Sequence, residues 1–308
     1  MAVCIGVDTS NYTTSAAVSD NGRILINARR LLTVGEGERG LRQSDAVFQH
    51  TVNLPTVIRE VGHVNADAIG VSDKPRDVEG SYMPCFLSGV AVAESLSQIN
   101  GIPLYRFSHQ AGHIAAALYS CNREDLHHER FIAFHVSGGT TEVTVVDRGQ
   151  ITLVGGTKDI SAGKAIDRIG VKLGMSFPCG KALEGASADP DTVKAGRLSV
   201  DGTYFNLSGL ENKADELIRS GAEASYVAAF TLKHVCAVLE KITENTVSEY
   251  GSLPILYAGG VMSNRYIRAK LTEKFGGLFA TPEFSCDNAA GVARLTELTL
   301  EGVLKYAR

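Results

Sequence analysis

Two histidines, His109 and His113, stand four positions apart in the segment SHQAGH. If this segment begins a helix, both imidazole rings project from one face of it, one turn apart. Two imidazole nitrogens and one carboxylate are a ligand set that suits a divalent metal ion. Asp287, in the segment Cys286-Asp287-Asn288, is the candidate third ligand, although sequence spacing gives no indication that it lies nearby. A surface or packing role for the two histidines is the alternative.

A glycine-rich turn, Ser137-Gly138-Gly139-Thr140-Thr141, separates two apolar segments that are predicted to be strands. Amide and hydroxyl groups in such a turn can donate to phosphate oxygens. A second candidate runs from Tyr257 to Asn264, where a predicted strand passes through two glycines into the start of a helix. Ordinary hairpins also contain such turns, but the two segments together predict a nucleotide-binding site.

Two acidic residues are further candidates for chemistry. Asp167 lies four residues after Gly163, one turn inside a predicted helix. There its carboxylate could accept hydrogen bonds from ribose hydroxyls, or it could simply offset the helix dipole. Asp8 follows the apolar segment Val3–Val7 and is the acidic residue of the opening loop, which makes it the candidate catalytic carboxylate.

The elements that would position these residues alternate between predicted strands and helices, which indicates a mixed α/β class. The start of the chain and the segment from Phe131 onward share one order: strand, polar loop, strand, tight turn, strand. Three pairs of identical residues are each 127 positions apart: Thr13 and Thr140, Asp20 and Asp147, and Gly22 and Gly149. The sequence therefore predicts an internal duplication, with one copy opening each of two lobes and the two polar loops facing one cleft. Chance agreement of two hairpins is the alternative.

Composition limits the class of protein. With 308 residues, 44% of them apolar, the chain is long enough for two lobes. Thirty Lys and Arg against 34 Asp and Glu give a net charge of −4, so binding to nucleic acid would need a local basic patch or a helper protein. Six cysteines without a CxxC pair predict free thiols. With neither a signal peptide nor a long apolar segment, we expect a cytoplasmic protein without a membrane partner.

Several segments, in order along nearly the whole chain, resemble the tRNA threonylcarbamoyladenosine synthase family, the TsaD-type proteins once labelled sialoglycoprotein endopeptidases. These segments are IGVDTSNYTTSAAV, SHQAGH, VSGGTTE, DISAGKAIDRIGVKLGMSFPCG, FNLSGL, AGGVMSN and FSCDNAA. The resemblance implies a two-lobed actin/hexokinase/heat-shock ATPase-like fold with a central nucleotide cleft. We expect a first lobe over 1–128, a second over 129–286, and a C-terminal helix within 287–308 that packs back onto the first.

The resemblance also implies site residues and a reaction. His109, His113 and Asp287 correspond to the ligands of one divalent metal ion, iron or zinc. The positions that correspond to the family's nucleotide site are Ser137, Gly138, Gly139, Thr140, Asp167, Gly180, Glu184 and Asn264. The implied reaction is an acyl transfer from threonylcarbamoyl-AMP to N6 of an adenine in tRNA. The implied partners are tRNA, bound with or without helper proteins, and other proteins of the threonylcarbamoyladenosine pathway.

This sequence departs from the family pattern where the acyl group and the acceptor would bind. Ala111 stands between the two histidines where the family has a glutamate, and Tyr12 and Thr13 replace an acidic pair. Asn11 replaces a cysteine, and Thr140 replaces a histidine.

These departures leave alternatives open. The chain could be a catalytically impaired nucleotide-binding paralogue that acts as a partner or regulator, or a carbamoyltransferase with a different acceptor. A kinase or ATPase of the same fold is a weaker alternative, in which Asp8 would be the base. A zinc peptidase is not expected, because HQAGH lacks the glutamate that serves as its general base.

Overall fold

A computed structural model describes residues 2–10, 12–34 and 41–304 of the chain. The elements up to residue 128 are β1 (Val3–Asp8), β2 (Thr13–Asp20), β3 (Arg23–Leu31), α1 (Gln43–Val61), β4 (Ala68–Lys74), α2 (Phe86–Asn100), β5 (Leu104–Ser108), α3 (His109–Ser120) and a 3-10 helix (Glu124–His128). The next are β6 (Arg130–Val136), β7 (Thr141–Asp147), β8 (Gln150–Thr157), α4 (Ala162–Lys172), α5 (Gly180–Ala186) and a 3-10 helix (Pro190–Thr192). The last are β9 (Ser199–Asp201), β10 (Tyr204–Asn206), α6 (Ser208–Arg219), α7 (Ala224–Tyr250), β11 (Ile255–Ala258), a 3-10 helix (Gly260–Ser263), α8 (Arg265–Phe275), β12 (Leu278–Phe279) and α9 (Ala290–Leu300).

The chain divides into two compact units. Unit 1 comprises residues 1–127 and 283–308, and unit 2 comprises residues 128–282. These divisions lie within four residues of the boundaries expected for the lobes. Two expectations stay predictions: that the lobes are separate domains, and that their polar loops face one cleft. Among the helices in the described ranges, none has the length and apolar character to cross a membrane.

Unit 1 is built on a five-stranded mixed sheet in the order β3-β2-β1-β4-β5. β1 is antiparallel to β2 and parallel to β4, and β4 is parallel to β5. α9 packs against β1, β2, β4 and α3, so this helix belongs to the core of unit 1. α9 (Ala290–Leu300) lies within the range expected for the C-terminal helix, and Gly302 follows it with φ +75°. The end of that range, 305–308, lies outside the described residues.

Unit 2 contains a seven-stranded sheet in the order β12-β11-β6-β7-β8-β10-β9. β6 is antiparallel to β7 and parallel to β11, which is parallel to β12. The apolar side chains of β6, α4 and α7 form the centre of its core, and Phe134 and Tyr257 are among the largest side chains fully buried there. This core holds the elements that carry the predicted nucleotide-binding residues.

The two sheets share a connectivity that supports the duplication. Each begins with three consecutive antiparallel strands, and in each the first strand pairs in parallel with a later one, β4 in unit 1 and β11 in unit 2. The turns between the second and third strands also match, because both central residues have positive φ in each: Asn21 and Gly22 in unit 1, Arg148 and Gly149 in unit 2. Such turns join twisted antiparallel strands without splaying them.

Candidate metal and nucleotide sites

The helix α3 begins directly after β5 and presents both histidines of SHQAGH. Ser108 caps the helix, because its Oγ accepts a hydrogen bond from Ala111 N–H at 3.1 Å. The same hydroxyl donates to Asp77 Oδ2 at 2.8 Å, which ties the start of α3 to the loop after β4. His109 is therefore the first residue of a well-anchored helix, and His113 follows one turn later.

The third residue, Asp287, comes to α3 through the packing of α9. Gly291 permits this contact, because a Cβ there would overlap the carbonyl oxygen of Gly112 and lie 2.7 Å from Ala116 N. Just before α9, Asn288 Oδ1 accepts from Ala290 N–H at 3.0 Å, and Asn288 Nδ2 donates to the carbonyl of Cys286 at 2.6 Å. These contacts fix the backbone on both sides of Asp287.

The structure brings His109, His113 and Asp287 together, although Asp287 lies 174 positions after the second histidine. Asp287 Oδ1 lies 3.2 Å from His113 Nε2 and 3.6 Å from His109 Nε2, and one donor atom from each residue lies within 4.8 Å of the others. The imidazole rings are 4.2 Å apart between centroids and nearly perpendicular. Two neutral imidazoles and a carboxylate fit a divalent iron or zinc ion, so this donor set suits the implied metal.

Asp8 lies behind His109 in the same unit. Its Oδ2 is 2.7 Å from His109 Nδ1 and accepts from Ser72 Oγ at 2.8 Å, while its Oδ1 accepts from Ser10 N–H at 2.7 Å. A proton on Nδ1 therefore donates to Asp8, and Nε2 is the ring nitrogen that faces Asp287. A carboxylate behind a metal-facing histidine is a common arrangement in metal sites.

The charges in this cluster perturb one another. Burial by itself would lower the pKa of His109, but the carboxylates of Asp8 and Asp287 raise it to about 10. Burial and the neighbouring His109 lower the pKa of His113 below its usual value. Burial would raise the pKa values of Asp8 and Asp287, but the histidines and the hydrogen bonds lower both. The pair of carboxylates is therefore ionised and can neutralise a bound cation.

In unit 2, the Ser137–Thr140 turn closes on itself and packs against the start of α4. Ser137 N–H donates to the carbonyl of Thr140 at 2.7 Å, and Thr140 N–H donates to Ser137 Oγ at 3.1 Å. Ser161, the cap of α4, donates from Oγ to the carbonyl of Gly138 at 2.6 Å. Among the described residues, no acceptor takes the N–H groups of Gly138 and Gly139, which are exposed. N–H groups without an acceptor in the protein can donate to an anion such as a phosphate.

Asp167 is half-buried on α4 and uses one carboxylate oxygen within the protein. Its Oδ1 accepts from Cys179 N–H at 2.7 Å, at the start of α5. Burial raises its pKa, and only this hydrogen bond opposes the change. The second oxygen has no hydrogen bond to any described residue. The carboxylate thus has one oxygen in the protein scaffold and one that a ribose hydroxyl could use.

The other predicted nucleotide positions lie on α5 and at the start of α8. Gly180 begins α5, and a side chain there would meet no atom within 4 Å. Glu184 Oε1 accepts from Arg265 N–H at 3.0 Å and from Arg265 Nε at 2.9 Å. Asn264 caps α8, with Oδ1 accepting from Ile267 N–H at 3.0 Å. Glu184 and Asn264 thus already have structural partners, so the geometry gives them no separate assignment to a nucleotide.

Sequence reasoning missed how Asp8 meets His109, because the two residues are 101 positions apart and no local pattern links them. It also missed Arg29, which donates from Nη1 to the carbonyl of Glu283 at 3.3 Å and contacts Cys286 Sγ at 2.6 Å, next to Asp287. Of the residues that depart from the family pattern, Ala111 and Thr13 are buried and Tyr12 is partly buried, whereas Asn11 lies outside the described residues.

Solved structures with a similar fold include proteins that share little sequence with this chain. Full-length HypF in its phosphate- and nucleotide-bound form matches 99% of this chain and 47% of its own length, with a TM-score of 0.65 and 13% identity. A ROK family glucokinase from Streptomyces griseus, in complex with glucose and AMPPNP, matches 96% of this chain and 99% of its own, with a TM-score of 0.52 and 14% identity. These similarities confirm the predicted actin/hexokinase/heat-shock ATPase-like class.

Comparison of sequences identifies the family. Residues 43–294 match the family profile described as TsaD, tRNA N6-adenosine threonylcarbamoyltransferase. The protein of that name from Dehalococcoides mccartyi is 31% identical over 304 residues, which cover 94% of this chain and 91% of that protein. The protein of the same name from Pyrobaculum islandicum is 26% identical over 295 residues, covering 94% and 87%. The chain therefore belongs to the TsaD family of tRNA N6-adenosine threonylcarbamoyltransferases.

Proposed function

We propose that this protein transfers a threonylcarbamoyl group from threonylcarbamoyl-AMP to N6 of an adenine in tRNA. Its family membership supports the reaction, and the convergence of His109, His113 and Asp287 is the observation that carries the proposal. In the transfer, the N6 amine attacks the carbamoyl carbon, the bond from that carbon to the phosphate oxygen breaks, and AMP leaves. The amine proton passes to solvent.

The residues of unit 1 would hold the metal and the reacting carbonyl. His109 Nε2, His113 Nε2 and Asp287 Oδ1 are the proposed ligand atoms, and an iron or zinc ion bound to them supplies Lewis acidity that polarises the carbamoyl carbonyl. Asp8 keeps His109 in the tautomer and orientation that direct Nε2 toward the metal. Because both oxygens of Asp8 already accept hydrogen bonds, we assign it this positioning role in place of the role of a general base.

The residues of unit 2 would bind the adenylate part of the donor. The available N–H groups of Gly138 and Gly139, with the hydroxyls of Ser137 and Thr140 beside them, suit the phosphate. The second oxygen of Asp167 suits a ribose hydroxyl. Gly180, Glu184 and Asn264 complete the proposed set: Gly180 leaves open space, and the other two hold α5 and α8 in place.

The direct test uses the full chain loaded with Fe²⁺ or Zn²⁺, threonylcarbamoyl-AMP and an unmodified tRNA transcript. We expect AMP and the threonylcarbamoylated nucleoside to form in equal amounts, as measured by liquid chromatography and mass spectrometry. His113→Ala should lose both products together with the metal, whereas His63→Ala, at an exposed histidine of the same unit, should keep them. Absence of the modified nucleoside with the metal-loaded wild type would overturn the proposal.

A second candidate follows from the departures in unit 1. Ala111 is only 2% exposed and offers no carboxylate beside the metal-binding histidines, and Thr13 is likewise buried and uncharged. These features favour a paralogue that binds the adenylate without transfer, or a carbamoyltransferase with another acceptor. The same assay separates these cases, because release of AMP without modified tRNA indicates another acceptor, and nucleotide binding without release of AMP indicates a partner or regulator.

A further inference from the structure

One side of unit 2, which we call the α5–α8 face, consists of α5, residues 187–197, and residues 265–270 of α8. Glu184 on α5 pairs with Arg265 on α8 at 2.9 Å. Asp191 pairs with Lys270 of α8 at 2.9 Å and with Lys233 of α7 at 2.9 Å. The segments are therefore held side by side, with α7 beneath them.

This face concentrates the unpaired positive charge of unit 2. Across residues 128–282, whose formal charge is zero, seven Lys and Arg side chains have no carboxylate within 4.0 Å among the described residues. Four of the seven lie on the α5–α8 face, and all four are exposed: Lys181, Lys194, Arg197 and Arg268. By contrast, Arg168, Lys172 and Lys213, at or near α6, are each paired with a carboxylate at 3.0 Å or less.

Two carboxylates of the same face form ion pairs and hydrogen bonds within unit 2. Glu184 accepts from the backbone and the side chain of Arg265, and Asp191 accepts from two lysines and from Tyr266 OH at 2.9 Å. The third carboxylate, Asp189, is exposed, accepts from Asp191 N–H at 2.9 Å and forms no ion pair among the described residues. The face therefore carries six Lys and Arg against three Asp and Glu, a formal charge of +3. The face is thus a local basic patch on a chain whose net charge is −4.

The distribution of the four cations over three separate segments favours an extended polyanion over a single small anion. They project from a helix, a loop and a second helix, whereas one phosphate would need them to converge on a point. Two of them also lie near predicted nucleotide positions: Lys181 follows Gly180, and Arg268 lies one turn after Asn264. We propose that the α5–α8 face binds the phosphate backbone of the tRNA substrate, a proposal that rests on the function proposed above.

The test compares two variants of the full chain with equal loss of charge. The first is Lys181→Gln/Lys194→Gln/Arg197→Gln/Arg268→Gln. The control is Arg148→Gln/Lys158→Gln/Lys213→Gln/Lys241→Gln, at exposed positions elsewhere in unit 2. The affinity for a fluorescein-labelled, unmodified tRNA transcript is measured by anisotropy at several NaCl concentrations. The rate of threonylcarbamoyl-AMP turnover is measured in parallel over a range of tRNA concentrations up to saturation.

We expect the first variant to bind tRNA at least tenfold more weakly at low salt. The slope of log Kd against log salt should flatten by about three, since each lost phosphate contact removes roughly 0.7–0.9. The KM for tRNA should rise while turnover at saturation is kept, and the control variant should bind within about twofold of the wild type.

Four results would overturn the proposal. An unchanged affinity and salt slope in the first variant, with tRNA still modified by the wild type, would refute the face and leave the function intact. Equal losses in both variants would indicate a general effect of charge. Binding to vesicles of phosphatidylserine and phosphatidylcholine is measured for both variants. If the first variant loses vesicle binding but keeps its tRNA affinity, the face binds an anionic membrane instead. If the wild type neither binds nor modifies tRNA, the proposed function fails as well.

Discussion

Asp8 and Asp167 both lie at candidate sites, yet their surroundings differ. Asp8 is fully buried, and both of its oxygens accept hydrogen bonds, one of them facing the ring nitrogen of His109. Asp167 is half-buried and uses one oxygen for the amide of Cys179. A carboxylate with no spare oxygen positions a neighbour, whereas one with a spare oxygen can bind a ligand, and this difference can be tested by substitution.

For Asp8, the change Asp8→Asn keeps the shape and removes the charge. We expect the affinity for Zn²⁺ or Fe²⁺ to fall by about 10–100-fold, because the amide no longer favours the tautomer that directs His109 Nε2 toward the metal. Calorimetric titration of the metal-free protein measures this effect. Asp20→Asn, at the end of β2 in the same unit, is the control and should bind metal normally. Normal affinity in Asp8→Asn would mean that His109 is oriented by other contacts.

For Asp167, the change Asp167→Asn retains an oxygen that can accept from Cys179 N–H. We therefore expect the melting temperature to change little, while the affinity for an adenosine nucleotide falls by about 1.5–3 kcal/mol, as expected for the loss of hydrogen bonds to a charged group. Calorimetry with AMP and a thermal melt give both quantities. A lowered melting temperature with unchanged affinity would show that the charge serves only α4 and α5.

At the scale of elements, the metal site depends on how closely α3 and α9 approach. α3 carries the two histidines, and the segment before α9 carries Asp287, so the distance between the helices sets the distances between the ligand atoms. Gly112 and Gly291 meet at this contact, where Gly291 has no room for a Cβ. The segment from Glu283 to Asn288 is held by Arg29 and by the packing of Phe284 on Tyr119, with ring centroids 5.3 Å apart.

The change Gly291→Ala should therefore separate the two helices. We expect the free energy of unfolding to fall by about 1–3 kcal/mol, as for other overpacked contacts, and metal affinity to fall with it. Gly209→Ala on α6 is the matched control, because a Cβ there meets no atom within 4 Å and alanine is the better helix former. That variant should gain about 0.5–1 kcal/mol. Urea denaturation measures both, and equal stability of the two variants would contradict the close contact.

At the scale of the whole molecule, two units of similar connectivity carry different chemistry. Unit 1 holds the imidazole and carboxylate cluster, and unit 2 holds the glycine turn, Asp167 and the α5–α8 face. Unit 2 also buries a histidine that belongs to neither site. His234 on α7 is 4% exposed, and its Nδ1 has no hydrogen-bond partner among the described residues.

His234 predicts a pH dependence of stability. Burial lowers its pKa below the ordinary value, so the unfolded chain takes up a proton near pH 6.5 that the folded protein resists. The stability that this neutral histidine contributes is complete above about pH 6.5 and is lost as the pH falls, by at most about 1.4 kcal/mol per pH unit. Urea denaturation between pH 7.5 and 5.5 should show the wild type losing stability relative to His234→Gln. His63→Gln, at an exposed position, should parallel the wild type, and a parallel His234→Gln would contradict the assignment.

Local patterns in the sequence determined the class of the fold and most of its elements. The short apolar runs that end at polar loops form β1 and β6. A short apolar segment bounded by turn residues is enough to indicate a buried strand. The tight turns after Asp20 and Asp147 have positive φ at both central residues, which Asn21, Gly22 and Gly149 favour and which Arg148 adopts although its residue type does not. The spacing of His109 and His113 placed both rings on one helix face. The order of the family motifs along the chain predicted the reaction and the site residues.

Tertiary structure decided which of those residues meet. The carboxylates of Asp8 and Asp287 reach His109 through contacts that span 101 and 178 positions, and such contacts depend on sheet order and on the packing of α9 rather than on any local pattern. The sequence also gave no sign that Glu184 and Asp191 form ion pairs within the α5–α8 face while four of its cations have no carboxylate partner. Charge in a sequence can be counted, but its pairing depends on which surfaces the fold brings side by side.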